Sequence, residues 1–350
     1  MYRWFSLMLS PELVSKRGNE SFDRSLNLLL TIFAIVLLIP LTGCKTEQQT
    51  EGTESNSGPH HRVAVANYPL YCMVSKICES SAAVKEVVYV GPPSGTDPHS
   101  WVPTADQIRD LQKVDLIVCN GPGAVFATWI DKVTIDESKL CNTTDAIKQT
   151  EFVLVKDYQL VHSHGPEGEH SHTWVVPQSW LSPRIARKQA KFCYQRLTKL
   201  YGQSPELDNG FAELQKNFDS LEALHEKIRN QAPKLVVASS TPDVQYLTRS
   251  FDWEDRYLQW TDSRDVAQAR EELKQMHERI LKADATAAPN ETLFLWSGRQ
   301  IDELAGFVDS QWPRSAKLDL VDSPQGKSLD PEDYFQRMTQ NLRLLESALE

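Results

Sequence analysis

A single histidine, His99, stands out because the residues around it stiffen the chain. It lies in SGTDPHSWVP (Ser94–Pro103), where Pro98 fixes its own φ angle and biases Asp97 toward an extended conformation. An imidazole held in this way could bind a metal ion without the entropic cost of ordering a loop. A lone loop histidine is also commonly structural or solvated, so its position leaves both interpretations open.

A second candidate is the tract HSHGPEGEHSH, which carries four of the nine histidines of the chain. Its histidines are His162, His164, His170 and His172. Neutral imidazole is a common zinc ligand, and alternating histidines among acidic residues and glycines predict a flexible loop that attracts cations. The alternative is a polar loop with the weak, unspecific metal affinity of any histidine tract.

Two carboxylates near the ends of predicted strands could complete such a site. Asp322 belongs to LVDSP at the end of AKLDLVDS, and Asp243 follows shortly after the strand KLVVASS. Ligands of open parallel sheets bind outside the carboxyl ends of the strands, where both residues would lie. Asp322 could instead cap a helix or stabilise a turn before Pro324.

The segments that must position these residues alternate between strand and helix in two blocks. The predicted strands are RVAVAN, VKEVVYVG and VDLIVCNG in the first block and KLVVASS, TLFLWSG and AKLDLVDS in the second. Between the blocks, apolar residues recur every three or four positions from Phe211 to Ile228, which indicates one long helix that Pro233 ends. The sequence therefore predicts an α/β fold of two lobes, each a parallel sheet with helices on both faces, bridged by one long rigid helix.

The N-terminus is predicted to be an export signal. Arg17 and Arg24 precede the apolar run LNLLLTIFAIVLLIPLTGC, as in a secretory signal, and its last four residues, LTGC, resemble a bacterial lipobox. Cleavage there would leave Cys44 lipidated at the mature N-terminus, anchored to the membrane on the periplasmic or cell-surface side. An uncleaved transmembrane helix is the alternative.

The predicted segments follow from these patterns. They are a signal peptide (1–43), a flexible polar tether (44–61), an N-terminal lobe (62–202) that contains the histidine-rich loop (162–172), a linking helix (203–232) and a C-terminal lobe (233–350).

The net charge and the cysteines exclude some binding partners and some structural sites. The first 43 residues hold four of the 37 basic and three of the 47 acidic residues, so the mature chain would carry a formal charge of about −11. That charge disfavours nucleic acid and tolerates cations. The five cysteines beyond Cys44 form no CxxC pair, which favours buried small side chains over a disulfide framework or a zinc ribbon.

From about Arg62 to Glu350 the chain resembles the zinc- and manganese-binding lipoproteins that serve ABC importers, the metal-binding cluster of solute-binding proteins. The resemblance depends on the following segments: YPLY, GTDPHSWVPTADQIRDLQKVDLIVCNG, the histidine-rich insert, WLSPRIARKQ, SSTPDVQYL, KLDLVDS and the closing helix. It implies two α/β lobes bridged by one long helix, with one divalent cation held between them.

The resemblance also implies a ligand set, of which this chain keeps two members. His99 matches the family histidine of the DPH loop, and Asp322 matches the family carboxylate. Gln178 and Thr241 stand where the family has its second and third histidines. Glutamine and threonine oxygens are poor donors for tight zinc binding, so a site with only these four residues should bind borderline metals more weakly.

Other residues could restore the missing ligands. His170 or His172 could reach the gap at Gln178, and Asp243 could replace the third histidine, which gives a rebuilt site of His99, His172, Asp243 and Asp322. A different alignment takes His172-Thr173-Trp174 as the H-x-W element of the family, although the WLSP match favours Gln178.

The main functional prediction is a monomeric, membrane-tethered receptor that binds zinc or manganese as its cargo and delivers it to the permease of an ABC importer. The alternative is a surface interaction lipoprotein on the same scaffold that has lost tight metal binding, as Gln178 and Thr241 suggest. A metal hydrolase is disfavoured because the sequence has no HExxH, GxSxG or nucleotide-binding loop. The chain is therefore not expected to be an enzyme.

Overall fold

The computed structural model describes residues 61–96, 101–120, 133–155, 174–261, 264–283 and 292–350. Its contacts divide the chain into Met1–Asn56 and Ser57–Glu350, and the first unit lies outside the described residues. His99, the four histidines of the tract and Cys44 also lie outside them. No helix of the described part has the length and apolar character needed to cross a membrane.

The first lobe is built on a parallel sheet. Its elements are β1 (His61–Val65), α1 (Tyr68–Cys78), β2 (Val84–Tyr89), α2 (Ala105–Leu111), β3 (Leu116–Cys119), β4 (Leu140–Asn142), β5 (Leu154–Val155), β6 (Trp174–Val175) and α3 (Pro183–Tyr201). Within the described residues the sheet has the order β2-β1-β3-β4, and β5 pairs with β6 in a separate antiparallel ribbon. A capping box starts α2: the Thr104 side chain accepts from the backbone N–H of Gln107, and the Gln107 side chain accepts from the backbone N–H of Thr104.

The second lobe repeats this plan. Its elements are β7 (Val236–Ser239), α5 (Gln245–Ser250), β8 (Glu254–Tyr257), α6 (Val266–Ala283), β9 (Leu293–Ser297), α7 (Asp302–Gln311), β10 (Arg314–Leu318) and α8 (Asp333–Leu349), with α4 (Pro205–Gln231) preceding them. The strands run parallel in the order β10-β9-β7-β8.

Alternate residues of the central strands pack into different cores, which shows that each sheet is covered on both faces. In β1, Val63 and Val65 join one buried cluster and Ala64 joins another. In β9, Leu293 and Leu295 face the first cluster, and Phe294 and Trp296 face a third. Side chains alternate across a strand, so two apolar faces require two covering layers.

Helix α4 joins the lobes. Ser204 caps its first turn by accepting a hydrogen bond from the backbone N–H of Leu207, and its 27 residues give a length of about 40 Å. Its buried stripe packs on α1 and α8, and at Gly210 a Cβ atom would lie 2.5 Å from the carbonyl oxygen of Ile77. The predicted α/β fold of two parallel sheets bridged by one long helix is therefore confirmed.

One local prediction is wrong. The strand predicted to reach Ser323 ends at Leu318, because the side chain of Asn341 takes both the backbone N–H and the carbonyl of Asp319 and ends the ladder there. His225, on α4, is half-buried and stacks on Phe251 with ring centroids 4.1 Å apart. Its Nε2 lies 2.6 Å from Ser250 Oγ, and burial lowers its pKa to about 4.

Candidate metal site between the lobes

Buried amides at the carboxyl ends of β1 and β3 fix the chain next to Gln178. Asn67 follows β1 and accepts a hydrogen bond from the backbone N–H of Asn120, which follows β3 (2.8 Å). The side chain of Asn120 donates to the carbonyl of Pro177 (2.8 Å) and accepts from Gln189 on α3 (2.8 Å). All three amide side chains are buried, so they hold the backbone that precedes Gln178 in one position.

Gln178 is fully buried, and its amide has no hydrogen-bond partner at Oε1 or Nε2 among the described residues. An unsatisfied buried polar group costs about 1–3 kcal/mol, so native structures retain one chiefly where it has a further use. Gln178 lies between Pro177 and the short 3₁₀ turn Ser179–Leu181. The hydrogen bond from Asn120 to the carbonyl of Pro177 fixes the backbone at this point. The amide oxygen offers a neutral oxygen donor to a hard or borderline cation.

Asp322 lies in the loop after β10, opposite the first lobe. Its side chain is partly exposed, and Ser323 Oγ donates to its Oδ1 (3.4 Å). Burial, followed by the negative charge of Asp322, raises the pKa of the Tyr89 hydroxyl. Tyr89 is the last residue of β2, and its hydroxyl donates to the carbonyl of Pro92 (3.1 Å) in the loop that leads toward His99. Asp322 therefore lies close to the start of that loop.

Direct hydrogen bonds join the loops of the two lobes. The indole Nε1 of Trp180 donates to the carbonyl of Leu320 (2.8 Å), and the hydroxyl of Tyr334 donates to the carbonyl of Trp180 (2.8 Å). The backbone N–H of Gly326 donates to Ser94 Oγ (3.2 Å). The segments that carry Gln178 and Asp322, and the first residues of the 94–103 loop, thus meet at one interlobe seam.

Thr241 and Asp243 lie together after β7. Thr241 Oγ1 donates to Asp243 Oδ2 (2.5 Å), and both residues are partly buried. Two bonds from Ser297, at the end of β9, fix this segment: its N–H donates to Ser240 Oγ (2.9 Å) and its hydroxyl donates to the carbonyl of Thr241 (3.3 Å). A carboxylate therefore lies in contact with the position at which the resemblance implies a histidine.

One titratable group near this segment could not be recognised from the sequence pattern. Asp255 lies in β8, and its Oδ2 atom is inaccessible to solvent although the residue as a whole is partly exposed. It contacts Ser239 Oγ (2.8 Å), and burial raises its pKa to about 7. The only sequence signal is an acidic residue inside the strand EDRY, and an exposed strand can carry such a residue as well.

The described donors at the two lobes are oxygens. Gln178, Thr241, Asp243 and Asp322 are described, whereas His99 and His172 are not. In the described ranges, no three or more His, Cys, Asp or Glu side chains lie close enough together to hold a metal ion. The proposed ligands His99 and His172 therefore lie outside the part of the chain that was searched for such a group.

Comparison with known proteins identifies relatives of this chain. The family model described as zinc-uptake complex component A, periplasmic, matches residues 63–348. The high-affinity zinc uptake system protein ZnuA of Bacillus subtilis is 22% identical over 346 residues, which cover 92% of this chain and 97% of that protein. The manganese ABC transporter substrate-binding lipoprotein scaA of Streptococcus gordonii is 23% identical over 334 residues, or 91% and 98% of the two chains.

Solved structures share the fold. The metal-dependent lipoprotein YcdH of Bacillus subtilis superposes with a TM-score of 0.60 at 19% identity and covers 82% of this chain and 98% of its own. The Zn(II)-bound ZnuA-like domain of AdcA from Streptococcus pneumoniae gives a TM-score of 0.59 at 18% identity and covers 83% and 99%. Both lie in the same two-lobed class as the fold described above.

Proposed function

Because the chain belongs to the family of periplasmic zinc-uptake component A proteins, we propose that it is an extracytoplasmic receptor that binds a zinc or manganese ion between its lobes and delivers it to an ABC importer. Its family is one of substrate-binding transport proteins. The observation that carries the proposal is the interlobe seam, where Trp180 joins the segment of Gln178 to the loop of Asp322.

The proposed ligands are His99 and Asp322, with His172 and Asp243 in place of the two family histidines. Asp243 supports this assignment through its contact with Thr241, at the third ligand position. Gln178, whose buried amide has no partner in the described part of the chain, can supply an oxygen at the second position if His172 supplies no ligand. Such a mixture of imidazole and oxygen donors suits manganese at least as well as zinc.

The remaining parts of the proposal concern location and partners. Lipidated Cys44 anchors the chain through the 44–61 tether, and the receptor works as a monomer beside its permease. The other histidines of the loop, His162, His164 and His170, supply metal ions to the interlobe site. The receptor performs no catalysis, since its task is to bind and release an unchanged ion.

Calorimetric titration tests the proposal. The chain from residue 45 onward contains the whole compact unit Ser57–Glu350 and is titrated with Zn²⁺ and with Mn²⁺. We expect one tightly bound ion, at least a tenfold loss of affinity in His99→Ala and in Asp322→Ala, and weaker binding in acid because both ligands must lose their protons. Deletion of 162–172 should remove weak additional binding and, because it also removes the proposed ligand His172, should weaken the tight site without abolishing it.

The matched control is Asp309→Asn, an exposed carboxylate on α7, which should bind as the parent does. Stoichiometric binding that survives His99→Ala and is lost with the 162–172 deletion would move the site to the histidine-rich loop. A parent chain that binds neither ion would favour the interaction lipoprotein that has lost tight metal binding.

A further inference from the structure

A buried arginine on α8 grips the loop that carries Asp322. Only 8% of the Arg337 side chain is exposed. Its Nε donates to Asp319 Oδ2 (2.9 Å), and its Nη2 donates to Asp319 Oδ1, which completes a two-pronged ion pair. Its Nη1 donates to the carbonyl of Ser323 (2.7 Å) and to Asp333 Oδ2 (3.1 Å). The guanidinium thus holds the chain on both sides of Asp322, at positions 319 and 323.

The carboxylate of Asp319 links the guanidinium of Arg337 to the backbone of the loop through further hydrogen bonds. Its Oδ1 accepts a hydrogen bond from the N–H of Val321 (2.8 Å), and its Oδ2 accepts one from Gln325 (2.7 Å). Asn341, one turn further along α8, accepts from the N–H of Asp319 (2.8 Å) and donates to its carbonyl (2.7 Å). Every polar group of Asp319 is therefore used to hold the loop.

The loop needs such support because Val321 has an unfavourable backbone conformation. Its φ angle is +55°, and the side chain is fully buried. The left-handed region costs a non-glycine residue on the order of 1–2 kcal/mol, and a β-branched side chain is especially disfavoured there. Such a conformation persists when several surrounding contacts hold it in place. Here it sets the direction of the backbone at the next residue, Asp322.

We propose that Arg337 is a positioning residue that fixes the Asp322 carboxylate for the bound cation through the Asp319–Ser323 backbone. The inference rests on the proposed function, because Asp322 is a ligand there. Arg337 does not touch the ion, and its own charge is balanced by Asp319 and Asp333. A preorganised ligand loses less entropy on binding. The hydrogen bonds of Arg337 therefore raise the affinity for the cation although Arg337 makes no contact with it.

Lysine is the informative substitute at position 337. It keeps the positive charge but lacks the planar fork that bonds Asp319 at two atoms and Ser323 at a third. Arg343→Lys is the matched control, since Arg343 lies on the exposed side of the same helix. The readout is the affinity of the full chain in detergent for Zn²⁺ and Mn²⁺ added alone, with thermal unfolding recorded for each variant.

A double-mutant cycle separates positioning from general stability. We expect Arg337→Lys to weaken ion binding about tenfold or more, Arg343→Lys to leave it unchanged, and Arg337→Lys to cause no further loss in an Asp322→Ala background. If Arg337→Lys fails to fold, Asn341→Ala, which releases Asp319 while the arginine stays in place, is carried through the same cycle.

Each result decides between the inference and the function on which it depends. An equal loss with and without Asp322 would assign Arg337 a structural role only and overturn the inference while the proposed function stands. Parent-like affinity in Arg337→Lys would do the same. A parent chain that binds no ion, or an Asp322→Ala variant that binds as well as the parent, would overturn the ligand assignment and the inference with it.

Discussion

At the scale of single residues, Asp255 shows how a hydrogen bond can report a protonation state. Ser239 Oγ lies 2.9 Å from the carbonyl of Thr241 and 2.8 Å from Asp255 Oδ1. A hydroxyl has one proton, and a carbonyl can only accept, so both bonds form only when the Asp255 carboxyl donates its own proton to Ser239. Burial, which raises the pKa of Asp255 to about 7, acts in the same direction.

This geometry predicts a pH-dependent stability. Because the folded pKa of Asp255 is above its unfolded value, its contribution is fully present below about pH 4 and is lost as the pH rises through about 7. Asp255→Asn mimics the neutral acid, so it should remove this loss, which amounts to about 4 kcal/mol at most. Urea unfolding of parent and variant at pH 5 and pH 8 measures the effect.

The control for this prediction is an exposed carboxylate, Asp309, changed to Asn in the same way. The difference between Asp255→Asn and its parent should grow from pH 5 to pH 8, whereas Asp309→Asn should show no such trend. A constant difference across this range would mean that Asp255 is ionised throughout and that Ser239 donates to it.

At the scale of elements, the segment Pro177–Ser182 does the work of connecting the lobes. Asn120 holds its beginning from the first lobe, and Trp180 reaches the second lobe through Leu320 and Tyr334. The segment then enters α3 at Pro183, a favourable first helical residue. A short 3₁₀ turn thus fixes the distance between two loops that belong to different sheets.

Trp180→Phe tests this connection. The change keeps an aromatic ring but removes the donor to Leu320, which leaves a carbonyl unpaired at a cost of about 1–3 kcal/mol. We expect a lower melting temperature and weaker ion binding, because the loop of Asp322 loses one of its fixed points.

Trp312→Phe is the matched control for the connection. Trp312 is as deeply buried as Trp180, but its Nε1 has no hydrogen-bond partner within the described ranges, so only packing is lost. Differential scanning fluorimetry and titration compare the two variants. Equal effects of both on stability and on binding would show that the Trp180 hydrogen bond contributes nothing to the connection.

At the scale of the whole molecule, the described cysteines form no cross-links, so packing and hydrogen bonds hold the lobes without disulfides. Cys72, Cys78, Cys119, Cys141 and Cys193 are free and buried. Burial raises the pKa of Cys72 and Cys78 to about 12, and the adjacent Cys141 together with burial raises that of Cys193. Protonated, inaccessible thiols are unreactive.

We therefore expect native protein to resist iodoacetamide, and a reducing agent to leave its melting temperature unchanged. Denatured protein should take up five labels if Cys44 is lipidated and six if the chain is unprocessed, which mass spectrometry distinguishes. Rapid labelling of any of the five described thiols in the folded state would contradict the burial on which the prediction depends.

Local sequence patterns were sufficient to predict the class of fold, because apolar periodicity is a local property. Strand-helix alternation, the stripe on α4 and the capping box of Thr104 all depend on residues within a few positions of one another. The strands β4 and β8 were missed because LCN is too short and EDRY too polar to show a pattern, and only pairing with a neighbouring strand defines them. The lobe boundaries and the ligand set remain predictions.

Contacts between distant segments determine which side chains meet and which described polar groups have no partner. Asp322 was expected at the end of a strand, but Asn341 from α8 ends that strand early, and Arg337 then holds the loop that follows. The buried amide of Gln178, which has no hydrogen-bond partner among the described residues, and the raised pKa of Asp255 are equally invisible in the sequence. Burial and hydrogen bonding are set by partners far along the chain, and a local pattern carries no record of them.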